Sequence, residues 1–270
     1  MGLRRHSCHP SVPSIRAIHP CHPSVKEEAV QGDQNSDAGG SPYLPAEMTG
    51  LKKRLSQRKF EAAYHVWGRA IRKHSSGETL SRILEVGCGP GNFALCLEKW
   101  FPDSQVMALD LEDDLIRFAS RRVQSAHFVR ASSEMIPLGA NSVDVVSALQ
   151  VIEHFSIPED FLAEVARILR PGGLLLLSTP NPQGLGARLQ GKNWQGIRDD
   201  HISLRSPAQW QAALGKQGFE RLSEGTTLFN GMPVVGRFPL SLPFQVVQAA
   251  AGWFPWWWGE SYMVVARNSG

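Results

Sequence analysis

The strongest constraint on the fold of this chain is an alternation, from Arg82 onward, between short apolar runs and stretches with helical spacing. Five runs of strand length are rich in aliphatic residues: 83–86, 106–109, 127–129, 143–149 and 174–178. Between them, segments 93–101, 115–123 and 161–169 repeat apolar residues at intervals of three and four, the period of an amphipathic helix. Alternating βα units of this kind predict a parallel sheet covered by helices on both faces, the doubly wound α/β architecture.

Two further strands are predicted towards the C-terminus. The tetrapeptide Ser-Pro-Ala-Gln at 206–209 places a capping serine, a proline at the first helical position and a capping-box glutamine in order. It predicts a helix that runs to about Lys216 and leads into a sixth strand at 219–223. The segment Ser-Tyr-Met-Val-Val-Ala-Arg at 261–267 has the composition of a seventh strand.

The N-terminal part of the chain differs from this core. Residues 1–47 are rich in Pro, Ser, Gly and His and are predicted to be a disordered tail. The tail lacks the continuous apolar stretch of a secretory signal, and the four cysteines of the chain indicate no disulfide framework. We therefore expect a cytoplasmic protein. A formal net charge of +3, without a recognised RNA-binding module in the sequence, predicts no specific nucleic-acid partner.

Charge and apolar content divide the remaining residues into four parts. Residues 48–78 are predicted to be a basic amphipathic N-terminal helix, in which 51–74 carry eight Lys or Arg and one acid. This helix either packs on the main domain or contacts an acidic membrane surface or substrate, and the sequence leaves both open. Residues 79–230 are the predicted core. An apolar, tryptophan-rich insertion at 231–259 and the final core strand with the C-terminus at 260–270 follow.

The first predicted strand ends in Glu85 and is followed by the glycine-rich segment Gly87-Cys-Gly-Pro-Gly91. Glycines at alternate positions let the backbone turn tightly and approach a ligand at the carboxyl edge of the sheet. The spacing is G-x-G-x-G, and Asn92 stands where the third glycine of a dinucleotide fingerprint would be, which disfavours NAD. The second strand ends in Asp110, whose carboxylate can accept hydrogen bonds from both hydroxyls of an adenosine ribose.

Four motifs stand in order along the core. They are Ile-Leu-Glu-Val-Gly-Cys-Gly-Pro-Gly-Asn (83–92), Met-Ala-Leu-Asp (107–110), Val-Asp-Val-Val (143–146) and Arg-Ile-Leu-Arg-Pro-Gly-Gly (167–173). Together they resemble the motifs of class I S-adenosylmethionine (SAM)-dependent methyltransferases, over about residues 82–223. The resemblance implies a Rossmann-like doubly wound α/β sheet of seven strands, mostly parallel with an antiparallel last strand, and helices on both faces. Val-Ile-Glu-His (151–154) and Leu-Ser-Thr-Pro-Asn (177–181) resemble the small-molecule branch that includes the ubiquinone-biosynthesis O-methyltransferases.

The resemblance also implies a cofactor site for SAM. Its predicted residues are Glu85, Gly87, Cys88, Gly89, Gly91, Asp110, Leu111, Ser132 and Gln150. Glu85 and the backbone of the glycine-rich segment would hold the methionine end, Asp110 the ribose and Leu111 the adenine. Ser132 takes the place of a family aspartate that binds the adenine amino group, which weakens that contact. Gln150 either touches the sulfonium half of the cofactor or is an ordinary polar residue at a strand end.

Two histidines are the predicted catalytic residues. Methyl transfer from a sulfonium is an in-line displacement in which positioning supplies much of the rate, but an oxygen acceptor must still lose its proton. His154 and His201 are the histidines nearest to the predicted strand ends; a loop-pinning role for His154 and a surface ion pair for His201 remain alternatives. Some ubiquinone-branch enzymes bind a divalent metal through Glu-x-x-Glu-His here. Because Gln150 replaces the first acid, only two ligands remain, and no metal is predicted.

The predicted function is transfer of a methyl group from SAM to a small-molecule, hydrophobic acceptor, with O-methylation favoured over C-methylation. The alternative is a SAM-binding regulatory or scaffold protein without turnover, which the departures at Ser132 and Gln150 keep open. Residues 238–259 contain no charge and end in Trp253-Phe-Pro-Trp-Trp-Trp258. They are interpreted as a lid over the acceptor, a membrane-contacting patch, or packing on the domain. Peripheral membrane contact through 253–258 and the basic segment 51–74 is thus left open.

Overall fold

Seven strands form one mixed sheet in the computed structural model, which describes residues 50–75, 77–226 and 253–270, with side chains from residue 61 onward apart from 62. They are β1 (Arg82–Val86), β2 (Gln105–Asp110), β3 (His127–Arg130), β4 (Val143–Leu149), β5 (Leu169–Pro180), β6 (Phe219–Gly225) and β7 (Ser261–Asn268). Their order across the sheet is β3-β2-β1-β4-β5-β7-β6. The pairs among β1 to β5 are parallel, whereas β7 runs antiparallel to both β5 and β6. The predicted seven-stranded, mostly parallel sheet is confirmed.

Helices cover both faces of the sheet, as predicted. They are α1 (Gly50–His74), α2 (Asn92–Trp100), α3 (Asp113–Arg122), α4 (Pro158–Ile168), α5 (Leu185–Gln190) and α6 (Pro207–Lys216). Successive side chains of β1 point to opposite faces, because strand side chains alternate. Leu84 is buried in an apolar cluster with residues of α4 and α6, and Ile83 in a second cluster with residues of α1 and α2. The first strand is therefore buried on both sides, as a central parallel strand requires.

Local signals set the ends of two elements. The capping box of α6 is present: the Gln209 N–H donates to Ser206 Oγ at 3.4 Å, and the Ser206 N–H donates to Gln209 Oε1 at 2.8 Å. The predicted helical segment 161–169 ends within one residue of α4, but the predicted start of β5 was wrong, since the strand begins at Leu169 rather than at 174. Pro171 cannot continue a helix, and an irregularity in the register opposite β4 accommodates the extra strand residues.

The second half of α1 packs on the domain. Val66, Trp67 and Ile71 are buried in the cluster shared with α2, and Trp253 lies edge-on to Trp67 with ring centroids 5.2 Å apart. The described side chains of this basic helix therefore pack on the main domain, which was one of the two interpretations of the segment. The predicted tail 1–47 and residues 231–252 of the predicted insertion lie outside the described residues. Among the helices described, none combines the length and the apolar character needed to cross a membrane.

Candidate active site

The loop after β1 forms a cradle because its glycines adopt left-handed backbone angles. Gly87 has φ of 68° and Gly89 has φ of 50°. A Cβ on Gly87 would overlap the methyl groups of Val151, so this position excludes a side chain. A Cβ on Gly89 would meet nothing within 4 Å, because the position opens into a cavity. The backbone thus leaves room for a ligand at the carboxyl ends of β1 and β2.

Asp110 ends β2 at this cavity and ties down the glycine loop. Its Oδ2 accepts a hydrogen bond from the Gly89 N–H at 2.8 Å, and its Oδ1 accepts one from the Glu112 N–H at 3.0 Å. A carboxylate has about four lone-pair directions, so each oxygen keeps the capacity for one more donor. Asp110 can therefore still bind two neighbouring hydroxyls, as a ribose would present them.

The cavity beside the glycine loop has a volume of about 440 Å³. Six predicted residues line it: Gly87, Gly89, Asp110, Leu111, Gln150 and His154. Its lining is mainly apolar with a few polar groups, and its size lies within the roughly 300–1,000 Å³ typical of small-molecule sites. We call it the first cavity.

A second cavity, of about 430 Å³, shares lining residues with the first. Gln150 and His154 line both. The remaining lining residues come from the turn after β4, from β5 and the loop after it, and from the start of β7: Glu153, Pro180, Trp194, Gln195, Gly196, Arg198, His201, Glu260 and Ser261. This lining is more polar than that of the first cavity.

Gln150 stands at the boundary of the two cavities in an unusual conformation. Its φ is 60°, in the left-handed region that a non-glycine residue adopts at some energetic cost. Two bonds to Ser178 hold it there: the Gln150 N–H donates to the Ser178 carbonyl at 2.8 Å, and the Gln150 amide donates to Ser178 Oγ at 3.1 Å. Backbone strain of this kind clusters at functional sites.

His154 and His201 meet in the second cavity, with ring centroids 4.9 Å apart and ring planes nearly perpendicular. His154 Nδ1 lies 2.8 Å from the Asp200 carbonyl oxygen, and His201 Nδ1 lies 2.8 Å from the Gly196 carbonyl oxygen. A carbonyl only accepts hydrogen bonds, so each neutral ring carries its proton on Nδ1 and keeps the lone pair on Nε2. Both imidazoles can therefore accept a proton or bind a metal ion through Nε2.

Backbone contacts bring these two histidines together. His154 ends a 3-10 turn, Ile152–His154, that follows β4. The Ser203 N–H donates to the Glu153 carbonyl at 2.9 Å, and Ser203 Oγ donates to the Phe155 carbonyl at 2.6 Å. The loop that carries His201 is thereby fastened to the turn that carries His154.

Glu153 is the buried acid of the same turn. Its side chain is 1% exposed, and neither carboxyl oxygen has a hydrogen-bond partner in the part of the chain that the structure describes. Burial raises the pKa of the Glu153 carboxyl to about 7. A buried, unpaired carboxyl group beside a cavity is a candidate functional group.

A family model described as a methyltransferase domain matches residues 43–224, which is more than half of the chain. The chain belongs to this methyltransferase-domain family. Among curated proteins, a probable SAM-dependent methyltransferase of Mycobacterium tuberculosis is 37% identical over 106 residues, which cover 38% of this chain and 37% of that protein. A fatty-acid O-methyltransferase of Mycolicibacterium smegmatis is 36% identical over 104 residues, 38% of each chain. The match thus spans about two fifths of the length of these curated relatives.

A solved structure shares the fold of this methyltransferase domain. It is a SAM-dependent methyltransferase from Thermotoga maritima, with a TM-score of 0.56 and 17% sequence identity. The superposition covers 80% of this chain and 93% of that one. At this identity the likeness concerns the fold alone.

Two predicted cofactor residues of the methyltransferase domain point away from the first cavity. Glu85 is buried against α2, where it accepts a hydrogen bond from the Ala94 backbone, and burial raises the pKa of its carboxyl well above the ordinary range. The Cys88 side chain is buried in the apolar cluster of α1 and α2, and burial also raises the pKa of its thiol. Neither side chain lines the cavity. Their positions support the glycine loop from the inside of the domain.

Gly91 and Ser132 also lie outside the cavity lining. Gly91, with φ of 73°, precedes α2 and is packed so closely that a Cβ would lie 2.9 Å from the Ala119 Cβ. Ser132 Oγ accepts a hydrogen bond from the Glu134 N–H at 3.2 Å, and the next residue, Ser133, lines the cavity instead. Ser132 is therefore not among the residues that line the first cavity.

Several lining residues of the first cavity were missed by the sequence analysis: Glu112, Leu115, Ser133, Val151, Phe155 and Asp200. Glu112 follows the end of β2 closely, so proximity to Asp110 was an available signal. Asp200 comes from the long connection after β5, where no periodic pattern indicates which residue faces the site. Its contribution could be found only from the folded chain.

The tryptophan-rich turn lies apart from both cavities. Trp256 is partly buried against the core, and its carbonyl accepts a hydrogen bond from Asn181 Nδ2 at 2.9 Å. Trp257 and Trp258 are 52% and 53% exposed. None of the three lines either cavity, so the lid interpretation gains no support from the described tryptophans.

Proposed function

We propose that this chain transfers the methyl group of SAM, bound in the first cavity, to a small-molecule acceptor bound in the second. The observation that carries the proposal is the pair of cavities that share Gln150 and His154 as lining residues. A cofactor in one cavity and an acceptor in the other would meet beside these two side chains. The glycine cradle and Asp110 supply backbone space and a carboxylate suited to the adenosine part of SAM.

The chemistry requires one bond to break as another forms. The sulfur–methyl bond of SAM breaks, the acceptor–methyl bond forms, and the sulfonium leaves as the neutral thioether S-adenosylhomocysteine. Holding the two reactants in line supplies much of the rate. When the acceptor atom is oxygen, its proton must also leave, and His154 and His201, two imidazoles that line the second cavity, are our candidates to accept it.

The lining of the second cavity combines hydrogen-bonding side chains with apolar surface, which suits an acceptor that has a polar end and an apolar body. Glu260 is fixed there by hydrogen bonds from the Gln190 and Gln195 side-chain amides, at 2.7 and 3.2 Å. Trp194 and Pro180 add apolar surface beside it. We therefore favour O-methylation of a molecule that combines a hydroxyl or carboxyl group with an apolar body. The name of the Mycolicibacterium smegmatis relative, a fatty-acid O-methyltransferase, supports this class.

Peripheral contact with an anionic membrane is part of the proposal, because an apolar acceptor resides there. The exposed indoles of Trp257 and Trp258 suit the boundary between apolar and aqueous surroundings. The basic segment 51–74 adds positive charge to the chain.

Incubation of the purified chain with methyl-labelled SAM tests the activity. Long-chain fatty acids and simple phenols serve as acceptors, and calorimetry with S-adenosylhomocysteine reports cofactor binding separately. We expect labelled methyl ester or ether together with saturable S-adenosylhomocysteine binding. Binding without transfer to any acceptor would favour the scaffold alternative. Failure to bind S-adenosylhomocysteine would reject both.

A further inference from the structure

We propose that Glu260 determines which acceptors the second cavity admits. Its carboxylate binds a hydroxyl group of the acceptor and excludes molecules that present a carboxylate at the same place. Glu260 immediately precedes β7, lines the second cavity and is 7% exposed. This role rests on the proposed function, because it takes the second cavity as the acceptor site, and it specifies the group that the acceptor carries at the end remote from the methylated atom.

The fold places Glu260 apart from the boundary between the two cavities. Gln150 follows β4, and Ser261, the first residue of β7, pairs with Pro180 at the carboxyl end of β5. Because β5 lies between β4 and β7, the end of β4 and the start of β7 are two strand spacings, or about 10 Å, apart. Glu260 can therefore hold one end of an acceptor while methyl transfer takes place at the other.

Neutral groups hold the Glu260 carboxylate in place. Its Oε1 accepts a hydrogen bond from Gln190 Nε2 at 2.7 Å, and its Oε2 accepts one from Gln195 Nε2 at 3.2 Å. These amides fix the orientation of the carboxylate without contributing a charge that would neutralise it. Each carboxylate oxygen has about two lone-pair directions, so each can accept one further hydrogen bond.

The neighbouring helix leaves space for this carboxylate. Gly186 is the second residue of α5, and a Cβ at this position would overlap Glu260 Oε1. Glycine is unfavourable within a helix, and here it allows the helix to pack against the carboxylate. The Glu260 carbonyl also accepts a hydrogen bond from the Asn181 N–H at 2.6 Å. Backbone and side chain of Glu260 are thus both fixed before an acceptor binds.

The side chain of Trp194 favours a hydroxyl group as the ligand. Trp194 lines the same cavity and is 3% exposed, and its indole N–H has no hydrogen-bond partner among the described residues. Buried polar groups normally have a partner. An ionised carboxylate only accepts hydrogen bonds, and an indole N–H only donates them. A ligand hydroxyl that reaches both groups satisfies both, whereas an ammonium group satisfies only Glu260 and a carboxylate satisfies only Trp194.

The charge of Glu260 also acts against unsuitable acceptors. Two carboxylates that meet in a buried place repel each other, and neither of them can donate a hydrogen bond to the other while both are ionised. Specificity arises from such rejection as much as from favourable contacts. The acceptor is then an apolar molecule with the methylated oxygen at one end and a hydroxyl group at the other.

Four carboxylic acids of equal chain length test this role on the full chain. They are an ω-hydroxy fatty acid, an ω-amino fatty acid, a dicarboxylic acid and the unsubstituted fatty acid. Calorimetry measures their affinities without cofactor and again with S-adenosylhomocysteine. We expect the wild type to bind the ω-hydroxy acid at least about tenfold more tightly than the dicarboxylic acid. Glu260→Gln, which keeps the side-chain shape, should reduce this ratio at least about threefold, and Glu220→Gln, at an exposed acid of β6, should leave it unchanged.

Trp194→Phe is the second variant, and it carries the test if circular dichroism shows that Glu260→Gln does not fold. It should weaken binding of the ω-hydroxy acid and leave the affinity for the unsubstituted fatty acid unchanged. Failure of the ω-hydroxy acid to bind, or an unchanged ratio in folded Glu260→Gln, would overturn the role of Glu260. Tighter binding of the ω-amino acid would overturn the assignment of a hydroxyl group. Selective binding without methyl transfer would uphold Glu260 and count against the proposed function.

Discussion

At the scale of single residues, Asp110 has two tasks at one position. It binds the glycine loop through the Gly89 N–H, and it faces the cavity that we assign to the cofactor. We expect Asp110→Ala to weaken S-adenosylhomocysteine binding by about 1–3 kcal/mol, because a charged acceptor of two hydroxyls is lost. Calorimetry measures the change, and Asp103→Ala, at an exposed loop acid, is the control. Unaltered affinity in a folded Asp110→Ala variant would remove Asp110 from the site.

Glu85 is expected to make the stability of the fold depend on pH, because burial raises the pKa of its carboxyl. Near pH 4.5 and above, the unfolded chain releases this proton while the folded chain retains it. The folded state then binds more protons, so this group lowers the stability of the fold as pH rises through that window. We expect Glu85→Gln, which cannot ionise, to gain melting temperature relative to wild type at pH 8 and to show little gain at pH 4.

The control for this prediction is Glu220→Gln, because Glu220 is an exposed acid on β6. Its melting temperature should follow that of the wild type at both values of pH. Parallel stability curves for Glu85→Gln and wild type across the whole range would show that Glu85 ionises in the folded chain as it does in the unfolded one.

At the scale of elements, the 3-10 turn Trp256–Trp258 exposes two indole side chains, and their proposed contact with a membrane can be tested. Trp256 packs on the core, so only Trp257 and Trp258 are suitable for substitution. We expect the double substitution Trp257→Ser and Trp258→Ser to reduce binding to phosphatidylserine-containing vesicles by about tenfold. A loss of about 1.4 kcal/mol of apolar burial corresponds to a tenfold change in affinity. The melting temperature and S-adenosylhomocysteine affinity should not change.

Vesicle co-sedimentation measures this binding, and Val129→Ser provides the control. Val129 is an exposed apolar residue of β3, at the opposite edge of the sheet from β6 and β7. Equal sedimentation of the double variant and the wild type would exclude these indoles from membrane contact. The turn would then be a packing feature of the C-terminal strand.

Elements were predictable where a local signal exists. The apolar run of β1, the capping box at Ser206 and the glycine segment each encode their structure within a few residues, and each is seen in the fold. The contact of His201 with His154 depends on Ser203 bonding to the turn after β4, which is a relation between two loops. Periodicity carries no information about such relations, so sequence analysis found both histidines without joining them.

At the scale of the whole molecule, the family match starts at residue 43, close to the end of the compositionally distinct tail. We expect deletion of residues 1–47 to leave the melting temperature and S-adenosylhomocysteine affinity unchanged, because that segment has too little apolar surface to contribute to the core. Differential scanning calorimetry and titration of both forms measure this. A decrease of several degrees in the shortened chain would show that the segment stabilises the domain.

The shared lining of the two cavities has a thermodynamic consequence. Gln150 and His154 border both, so a ligand that shifts either side chain from one cavity alters the shape that the other offers. Any such coupling is reciprocal. If the bound acceptor raises the affinity for S-adenosylhomocysteine by some factor, bound S-adenosylhomocysteine raises the affinity for the acceptor by the same factor. Gln150 and His154 are therefore the side chains at which substitution is expected to change how strongly each ligand favours binding of the other.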